Sequence, residues 1–233
     1  MKKQEIIVMS VGGSLIVPDK ISVEFLKSLK NFIEEQTTTT GRRFIIIAGG
    51  GKTARRYQEA ASEVTELKDD DLDWMGIHAT RLNGHLLRTI FRDIAYREVI
   101  TNPDDILDVP NSEKVIIAAG YRPGCSTDLR AVQIAQRVKS KKVVNLSDID
   151  YVYDSDPRHN PNAKKIKNIN WNDFIKLLPN EWDPGLSSPF DPIAAKESQV
   201  HEIEVVIING HKLDSLTSYL KGDNDFVGTI IHN

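Results

Sequence analysis

A short apolar run followed by three consecutive glycines is the feature that most restricts how this chain can fold. Residues 44–48 are mostly β-branched and are bounded by glycines, which is typical of a buried strand. The glycines at 49–51 permit a sharp turn and bring bare N–H groups close to a ligand. A helix-like run containing Lys52 and Arg55 follows directly. Such a helix directs the positive end of its dipole at the loop, so this unit predicts an anion site.

The triplet alone does not identify a known nucleotide-binding loop. It matches neither G-x-x-x-x-G-K-[ST] nor G-x-G-x-x-G. A glycine triplet after a strand is also typical of a simple tight turn. The functional interpretation therefore depends on the rest of the chain.

Composition narrows the class of protein. The 233 residues are 40% hydrophobic and 27% charged, which is ordinary for a globular protein, and the net charge of -3 does not favour a nucleic-acid surface. One cysteine, Cys125, excludes an internal disulfide and fits a reducing compartment. No apolar run approaches the roughly 20 residues of a membrane span. We expect a cytoplasmic protein with neither a nucleic-acid nor a membrane partner.

Apolar runs alternate with helical patterns along the chain. Strands are predicted at residues 6–11, 44–48, 115–118, 143–146, 204–208 and 227–231, with a long helix over 72–95. Residues 37–40 are interpreted as a surface loop, and residues 179–192, with four prolines, as an irregular segment. This alternation predicts an α/β fold, a three-layer α/β/α sandwich with a mainly parallel sheet. We expect a single domain over residues 1–233.

Glycine, hydroxyl and acidic residues follow several predicted strands. Besides the triplet, these loops are at residues 12–14, 120–128 and 147–157. Ligands of parallel α/β sheets bind at the carboxyl ends of the strands, where these loops gather. The sequence therefore predicts a phosphate site with several walls.

Seven motifs, in one order over nearly the whole chain, resemble the amino acid kinase family and, within it, the archaeal-type UMP kinases. They are Gly12-Gly13-Ser14; Gly49-Gly50-Gly51-Lys52 with Arg55; Asp73-x-Met75-Gly76-x-x-Ala79-Thr80-x-x-Asn83; Ser126-Thr127-Asp128; Asp150-x-Val152-Tyr153-x-x-Asp156-Pro157; Asp191-Pro192-x-Ala194-Ala195-Lys196; and Gly228-Thr229. Each motif alone is weak, but the shared order is specific. The resemblance implies the amino acid kinase fold and transfer of the ATP γ-phosphoryl group to UMP, giving UDP.

The resemblance also implies residue roles, with an acceptor half over about residues 1–140 and an ATP half over about 141–233. The implied UMP-binding residues are Gly50, Gly51, Lys52, Arg55, Asp73, Ser126 and Thr127. The implied ATP-binding residues are Gly12, Gly13, Ser14, Ser147, Asp148, Tyr153 and Asp156. The implied catalytic residues are Lys196, as a cation on the transferring group, with Asp128 and Asp191 as organisers. Mg²⁺ is implied with ATP, without a dedicated protein metal site, and so is a homo-oligomer, a hexamer in which the long helix forms a subunit contact.

Each catalytic candidate also has an ordinary structural interpretation. Lys196 suits a solvated helix face, Asp128 an acid that stabilises a helix dipole, and Asp191 a helix cap. The acids at residues 69–73 are interpreted as a helix start rather than a metal site. Cys125 is interpreted as a small packing residue.

The chain departs from the resemblance in three respects. Ser10 stands where the family commonly has a lysine, Tyr151 replaces a glycine, and Tyr121 with Arg122 replaces a threonine that reads uracil. These departures leave open the choice between UMP and CMP. They also leave two alternative functions: a nucleotide- or oxoanion-binding storage protein of the same fold, and a kinase for another small phosphate such as isopentenyl phosphate.

Overall fold

The computed structural model describes residues 4–178 and 188–233, and its centre is an eight-stranded sheet. The strands are β1 (Ile6–Val11), β2 (Arg43–Ala48), β3 (Ala95–Ile100), β4 (Val115–Ala118), β5 (Lys142–Ser147), β8 (Asn168–Asn170), β9 (Glu204–Asn209) and β10 (Thr229–His232). Their order is β3-β4-β2-β1-β5-β9-β10-β8. The first six are parallel, while β10 runs antiparallel to β9 and parallel to β8. A separate antiparallel pair joins β6 (Val152–Tyr153) to β7 (Lys165–Ile166).

Helices cover both faces of the sheet. They are α1 (Gly13–Ile16), α2 (Val23–Thr39), α3 (Gly51–Ser62), α4 (Asp69–Ile90), α5 (Thr127–Arg137), α6 (Trp171–Leu177), α7 (Pro192–Val200) and α8 (Leu213–Lys221), with a 3-10 helix at Pro103–Asp108. Among these described helices, none is both long and apolar enough to cross a membrane.

Alternate strand residues fill two separate cores. In β1, Val8 packs with α5, α6 and α7 on one face, whereas Ile7 and Met9 pack with α2, α4 and α8 on the other. Such alternation is expected for strands that are buried on both faces. The predicted three-layer sandwich with a mainly parallel sheet is confirmed.

The predicted long helix over 72–95 is wrong at its C-terminal end. α4 ends at Ile90, and residues 95–100 form the edge strand β3. Arg97 and Glu98 are exposed on this edge, so the segment lacks the apolar run by which buried strands are recognised. Ile90, the last residue of α4, and Ile94, just before β3, continue the helical period of the preceding apolar residues, so the end of the helix is not marked in the pattern.

The predicted surface loop at 37–40 is also wrong. Residues 37–39 complete α2, and Thr37 is buried. The Thr37 hydroxyl donates to the Glu34 carbonyl at 3.0 Å, and the Thr40 hydroxyl donates to the Gln36 carbonyl at 2.6 Å. These bonds let threonines end a helix that their propensity disfavours. Residues 179–187 of the segment predicted to be irregular lie outside the described residues.

The topology collects the predicted functional loops at one edge of the sheet. β1, β2, β4, β5 and β9 are parallel, so the segments that follow them all emerge at their carboxyl ends. These segments include all three glycine-bearing loops and the acidic loop after β5.

Candidate active site

The first two glycine loops touch each other at this edge. The Gly49 N–H donates to the Val11 carbonyl at 2.9 Å, and the Gly12 N–H donates to the Leu146 carbonyl at 2.8 Å. A Cβ atom on Gly13 would lie 1.9 Å from the Gly51 nitrogen, so no side chain fits between the loops. The sequence predicted both loops, and the structure makes them one continuous backbone surface.

The second loop leads directly into α3, as predicted, and Gly51 has a φ of +64° that favours glycine. Lys52 and Arg55 are exposed in the first turns of α3. The Lys52 ammonium lies 3.9 Å from an Asp19 carboxylate oxygen, while Arg55 has no ion pair among the described residues. Arg55 is therefore free to bind an anion at this end of the helix.

α4 connects the second loop to the loop after β4, defined here as the β4–α5 loop (residues 119–126). The Asn83 amide, which is buried, donates to the carbonyls of Gly49 and Gly50 at 2.8 and 3.1 Å. At the start of α4, Asp73 accepts a 2.6 Å bond from the Gly124 N–H. Asp73, one of the implied UMP-binding residues, thus lies beside the β4–α5 loop, and one of its carboxylate oxygens accepts a backbone hydrogen bond.

The acids that precede Asp73 belong to the helix start, as interpreted from the sequence. Asp69, Asp70 and Asp71 occupy the first turn of α4, and Asp71 accepts from the Lys68 N–H at 3.1 Å. In the described part of the chain, no group of three potential metal-ligating side chains is found.

Asp128 lies at the centre of a polar cluster beneath the glycine loops. One of its oxygens accepts 3.1 Å bonds from the Ser10 hydroxyl and the Asn145 amide, and the other accepts from the Asp191 N–H at 3.3 Å. Burial, with a smaller contribution from the Asp191 charge, raises the pKa of Asp128 to about 6. Ser126 caps α5 by accepting from the Leu129 N–H at 3.0 Å.

Asp191 faces this cluster as the N-cap of α7. Its carboxylate accepts from the Ala194 N–H at 2.6 Å, and burial raises its pKa. The cap interpretation of Asp191 therefore holds together with its place beside Asp128. The structure brings two of the three predicted catalytic residues together.

The third, Lys196, is not part of this cluster. In α7 the buried residues are Pro192, Ala194, Ala195 and Ser198, while Lys196 shares an exposed stripe with Ile193 and Val200. Within the described residues Lys196 makes no ion pair. Its location matches the solvated-face interpretation, and a catalytic role stays a prediction.

The loops after β5 and β9 lie at the same carboxyl-terminal edge of the sheet, on the side away from α3 and α4. Asp150 accepts 2.6 Å and 2.8 Å bonds from the Lys212 ammonium and the Asn209 amide. The Lys212 bond is the main cause of a lowered pKa at Asp150. Ser147 and Asp148, predicted to bind ATP, lie in the same segment and share a 3.4 Å contact.

The predicted residues Tyr153 and Asp156 lie beyond this segment. Tyr153 is in β6, and Asp156 is held by the Arg158 guanidinium at 2.8 Å, which lowers the Asp156 pKa to about 2. Tyr151, the residue that replaces a glycine, is buried, with the Lys165 ammonium 5.0 Å from its ring centroid.

The sequence indicated no role for four residues whose side chains bond to these groups, although Asn83 stands in a quoted motif: Asn83, Asn145, Asn209 and Lys212. Asn145 lies inside an otherwise apolar strand, and Asn83 lies on the buried face of α4. A polar residue at a core-facing position was the available signal, because buried polar groups need partners.

The assembled edge suits phosphate transfer. Two glycine loops offer backbone donors, α3 offers a positive helix end with Arg55, and Asp128 with Asp191 forms a carboxylate pair below them. Transfer of a phosphoryl group needs such positioning and charge neutralisation more than covalent chemistry.

Comparison with known proteins agrees with this chemistry. Residues 5–209 match the sequence model of the amino acid kinase family. A uridylate kinase of Thermococcus sibiricus is 33% identical over 226 residues, covering 97% of this chain and 98% of that protein. A uridylate kinase of Sulfurisphaera tokodaii is 31% identical over 227 residues, with the same coverage.

Two solved structures share the fold. The uridylate kinase of Archaeoglobus fulgidus has a TM-score of 0.81 and 25% identity, covering 98% of this chain and all of that one. The UMP kinase of Ureaplasma parvum has a TM-score of 0.80 and 23% identity, covering all of both chains, which supports the fold alone.

Proposed function

The chain belongs to the amino acid kinase family, and we propose that it is a UMP kinase that transfers the γ-phosphoryl group of ATP to UMP, giving ADP and UDP. One observation carries the proposal: two touching glycine loops and the Asp128–Asp191 pair lie at one edge of the sheet. The names of the relatives support the choice of UMP.

We place the acceptor, UMP, on the side of the site that α3 and α4 form. Gly50, Gly51, Lys52 and Arg55 would bind the phosphate of UMP, because the loop offers N–H donors and the side chains offer cations. One Asp73 carboxylate oxygen accepts from the Gly124 N–H, and the other would accept hydrogen bonds from the ribose hydroxyls. Ser126 and Thr127, at the start of α5, complete this side.

ATP is placed across the first loop and the segments after β5. Gly12, Gly13 and Ser14 would hold its phosphates, and Ser147, Asp148, Tyr153 and Asp156 would border the nucleoside. In-line placement of the two nucleotides on one edge is the main contribution of the fold.

Mg²⁺ fits the carboxylate pair. Asp128 and Asp191 both have raised pKa values, and in the described residues neither bonds to a lysine or arginine. Carboxylate oxygens are the ligands that Mg²⁺ prefers, so these two residues would organise the shell of a Mg²⁺ that the ATP phosphates carry. When bound, Mg²⁺ neutralises charge on the transferring phosphoryl group.

Ser10, which stands where the family commonly has a lysine, bonds to Asp128. Its hydroxyl donates to Asp128 from a buried position in β1, so this serine satisfies the carboxylate without neutralising it. The charge that a lysine would supply then has to come from the cation, from Arg55 and from Lys196.

We further propose a cytoplasmic homohexamer acting in pyrimidine biosynthesis, as the resemblance implies. α4 carries exposed apolar residues, Trp74 and Leu82, on its outer face, which supports its place at a subunit contact.

The test is ADP release by the purified protein with ATP, Mg²⁺ and each of UMP, CMP, AMP and GMP. Release with UMP well above that with the other three supports the proposal. ATP binding without release would favour the storage-protein alternative, which the Ser10 departure keeps open. A panel containing isopentenyl phosphate addresses the remaining alternative, which requires that compound to be a better acceptor than UMP.

A further inference from the structure

A buried arginine behind the β4–α5 loop has no evident use in phosphoryl transfer. Arg130, in the first turns of α5, is 2% exposed. One terminal nitrogen donates to Gln133 at 2.7 Å, while the Nε and Nη2 groups are inaccessible and have no hydrogen-bond partner among the described residues. Burial lowers its pKa, yet a guanidinium in a protein stays charged. Unpaired buried donors are costly, so this position needs a compensating contact.

That contact is the ring of Tyr121. The guanidinium carbon of Arg130 lies 5.2 Å from the ring centroid, and that of Arg122 lies 5.9 Å from it. A desolvated cation over an aromatic ring is among the stronger forms of this interaction. Cys125 also lies against Arg130, so the guanidinium contacts both ends of the loop.

A third arginine fixes the backbone at the same residue. Arg81 of α4 donates to the carbonyls of Gly120 and Tyr121 at 3.1 and 3.0 Å. We call Tyr121, Arg81, Arg122 and Arg130 the Tyr121 clamp. Two of these arginines lie beside the Tyr121 ring, and the third bonds to the backbone carbonyl of the same residue.

The position of the clamp follows from α4. This helix bonds to the second glycine loop (residues 49–51) through Asn83 and to the β4–α5 loop through Asp73 and Thr80. A nucleotide whose phosphate lies at Gly50 and whose ribose lies at Asp73 therefore directs its base at the β4–α5 loop. Tyr121 belongs to that loop, and its partly exposed side chain has the guanidinium groups of Arg130 and Arg122 beside its ring.

We propose that Tyr121 is the stacking surface for the acceptor's pyrimidine base and that Arg130 is a positioning residue that acts through it. This inference rests on the proposed function, because it assumes a nucleotide acceptor. Tyr121 binds the base, and Arg130, shielded from solvent, holds the ring from behind.

The test measures KM for UMP, KM for ATP and kcat of Arg130→Met, with Arg137→Met as the matched control. Arg137 ends the same helix and pairs with Asp104 at 2.8 Å, at the end of α5 opposite the loop. We expect Arg130→Met to raise KM for UMP about tenfold, with kcat and KM for ATP changed less than about threefold, because uniform binding is lost. Arg130→Lys, which keeps the charge, should restore part of the loss.

A double-mutant cycle separates positioning from general stability. Tyr121→Leu alone should raise KM for UMP at least as much, and adding Arg130→Met to it should raise KM little further, since the arginine acts through the ring. If Arg130→Met does not fold, Tyr121→Leu and Tyr121→Phe still test the stacking surface. Phenylalanine should keep KM near the wild-type value.

The outcomes are distinct. Wild-type protein that fails to turn over UMP overturns the proposed function and this inference with it. Wild-type turnover with KM for UMP within twofold in both Arg130→Met and Tyr121→Leu overturns the clamp alone. Lower thermal stability of Arg130→Met with unchanged KM gives Arg130 a purely structural role and also overturns it.

Discussion

Asp128 carries a charge in a place that favours its neutral form. The Ser10 hydroxyl, the Asn145 amide and the Asp191 N–H all donate to the carboxylate, but burial raises its pKa to about 6 all the same. The folded chain therefore binds a proton at the Asp128 carboxylate more tightly than the unfolded chain does. The stabilisation from the protonated form is fully present below the unfolded pKa of 3.8 and is lost as pH rises through about 6.

Asp128→Asn should therefore stabilise the protein at neutral pH and impair catalysis. A shift from 3.8 to about 6 corresponds to about 3 kcal/mol at most. We expect the free energy of unfolding of the variant, measured in urea, to exceed the wild-type value increasingly between pH 4 and pH 7. Its kcat should fall by at least about tenfold. A stability difference that does not change with pH would contradict the burial of this charge.

Lys196 is the residue for which resemblance and location disagree most. If it neutralises the transferring group, Lys196→Ala should lower kcat at least about tenfold with little change in KM for UMP, since that contact forms only in the transition state. Lys221→Ala, at the exposed end of α8, is the matched control. Equal turnover in both variants would assign Lys196 to the solvent face of α7, where the structure places it beside Val200.

At the scale of the element, α4 connects two of the loops at the edge of the sheet. The Thr80 hydroxyl donates to the Ile77 carbonyl at 2.7 Å and accepts from the Gly120 N–H at 2.8 Å, while the Asn83 amide donates to the Gly49 carbonyl. One helix thus sets the relative position of two loops. Changes on its buried polar face should alter stability and acceptor binding together.

Thr80→Val tests this role. Valine keeps the shape but leaves the Gly120 N–H buried and unpaired, which costs about 1–3 kcal/mol. We expect the free energy of unfolding in urea to fall by this amount and KM for UMP to rise. Thr89→Val is the control, because the Thr89 hydroxyl is exposed and donates only to the His85 carbonyl of its own helix. Similar stability of the two variants would mean that α4 does not fix the β4–α5 loop.

The region of α4 and β3 separates the features that the sequence predicted from those that it did not. The buried strands β1 and β4 were predicted at the residues where they occur, because apolar β-branched runs buried on both faces have few alternatives. The boundary between α4 and the edge strand β3 was not, because Arg97 and Glu98 interrupt the apolar pattern. Thr80 and Asn83 stand in a quoted motif, but the sequence did not indicate what their side chains bond to. Their partners are about 40 and 34 residues away, a distance that local pattern does not encode.

At the scale of the whole molecule, the strand topology explains why the predicted loops meet at one edge of the sheet, whereas the roles of the individual site residues stay predictions. Parallel strands place their following loops at one edge whatever the loops contain, so the glycine loops and the Asp128 cluster meet as expected. The location of Lys196 depends on which face of α7 packs inward. Ala194, Ala195 and Ser198 decide that face through burial, a property of the assembled core.

The outer face of α4 gives the last prediction, on assembly. Trp74 and Leu82 are 42% and 63% exposed on one helix face, where apolar side chains gain free energy from a partner surface. We expect light scattering to give about six times the 26.2 kDa protomer mass, and Leu82→Lys to reduce it by placing a charge in the contact. Val64→Lys is the control, because Val64 is 86% exposed but lies outside α4. If the wild-type protein has only the mass of one protomer, the proposed subunit contact does not exist. If both variants reduce the mass of the oligomer, the contact is not specific to α4.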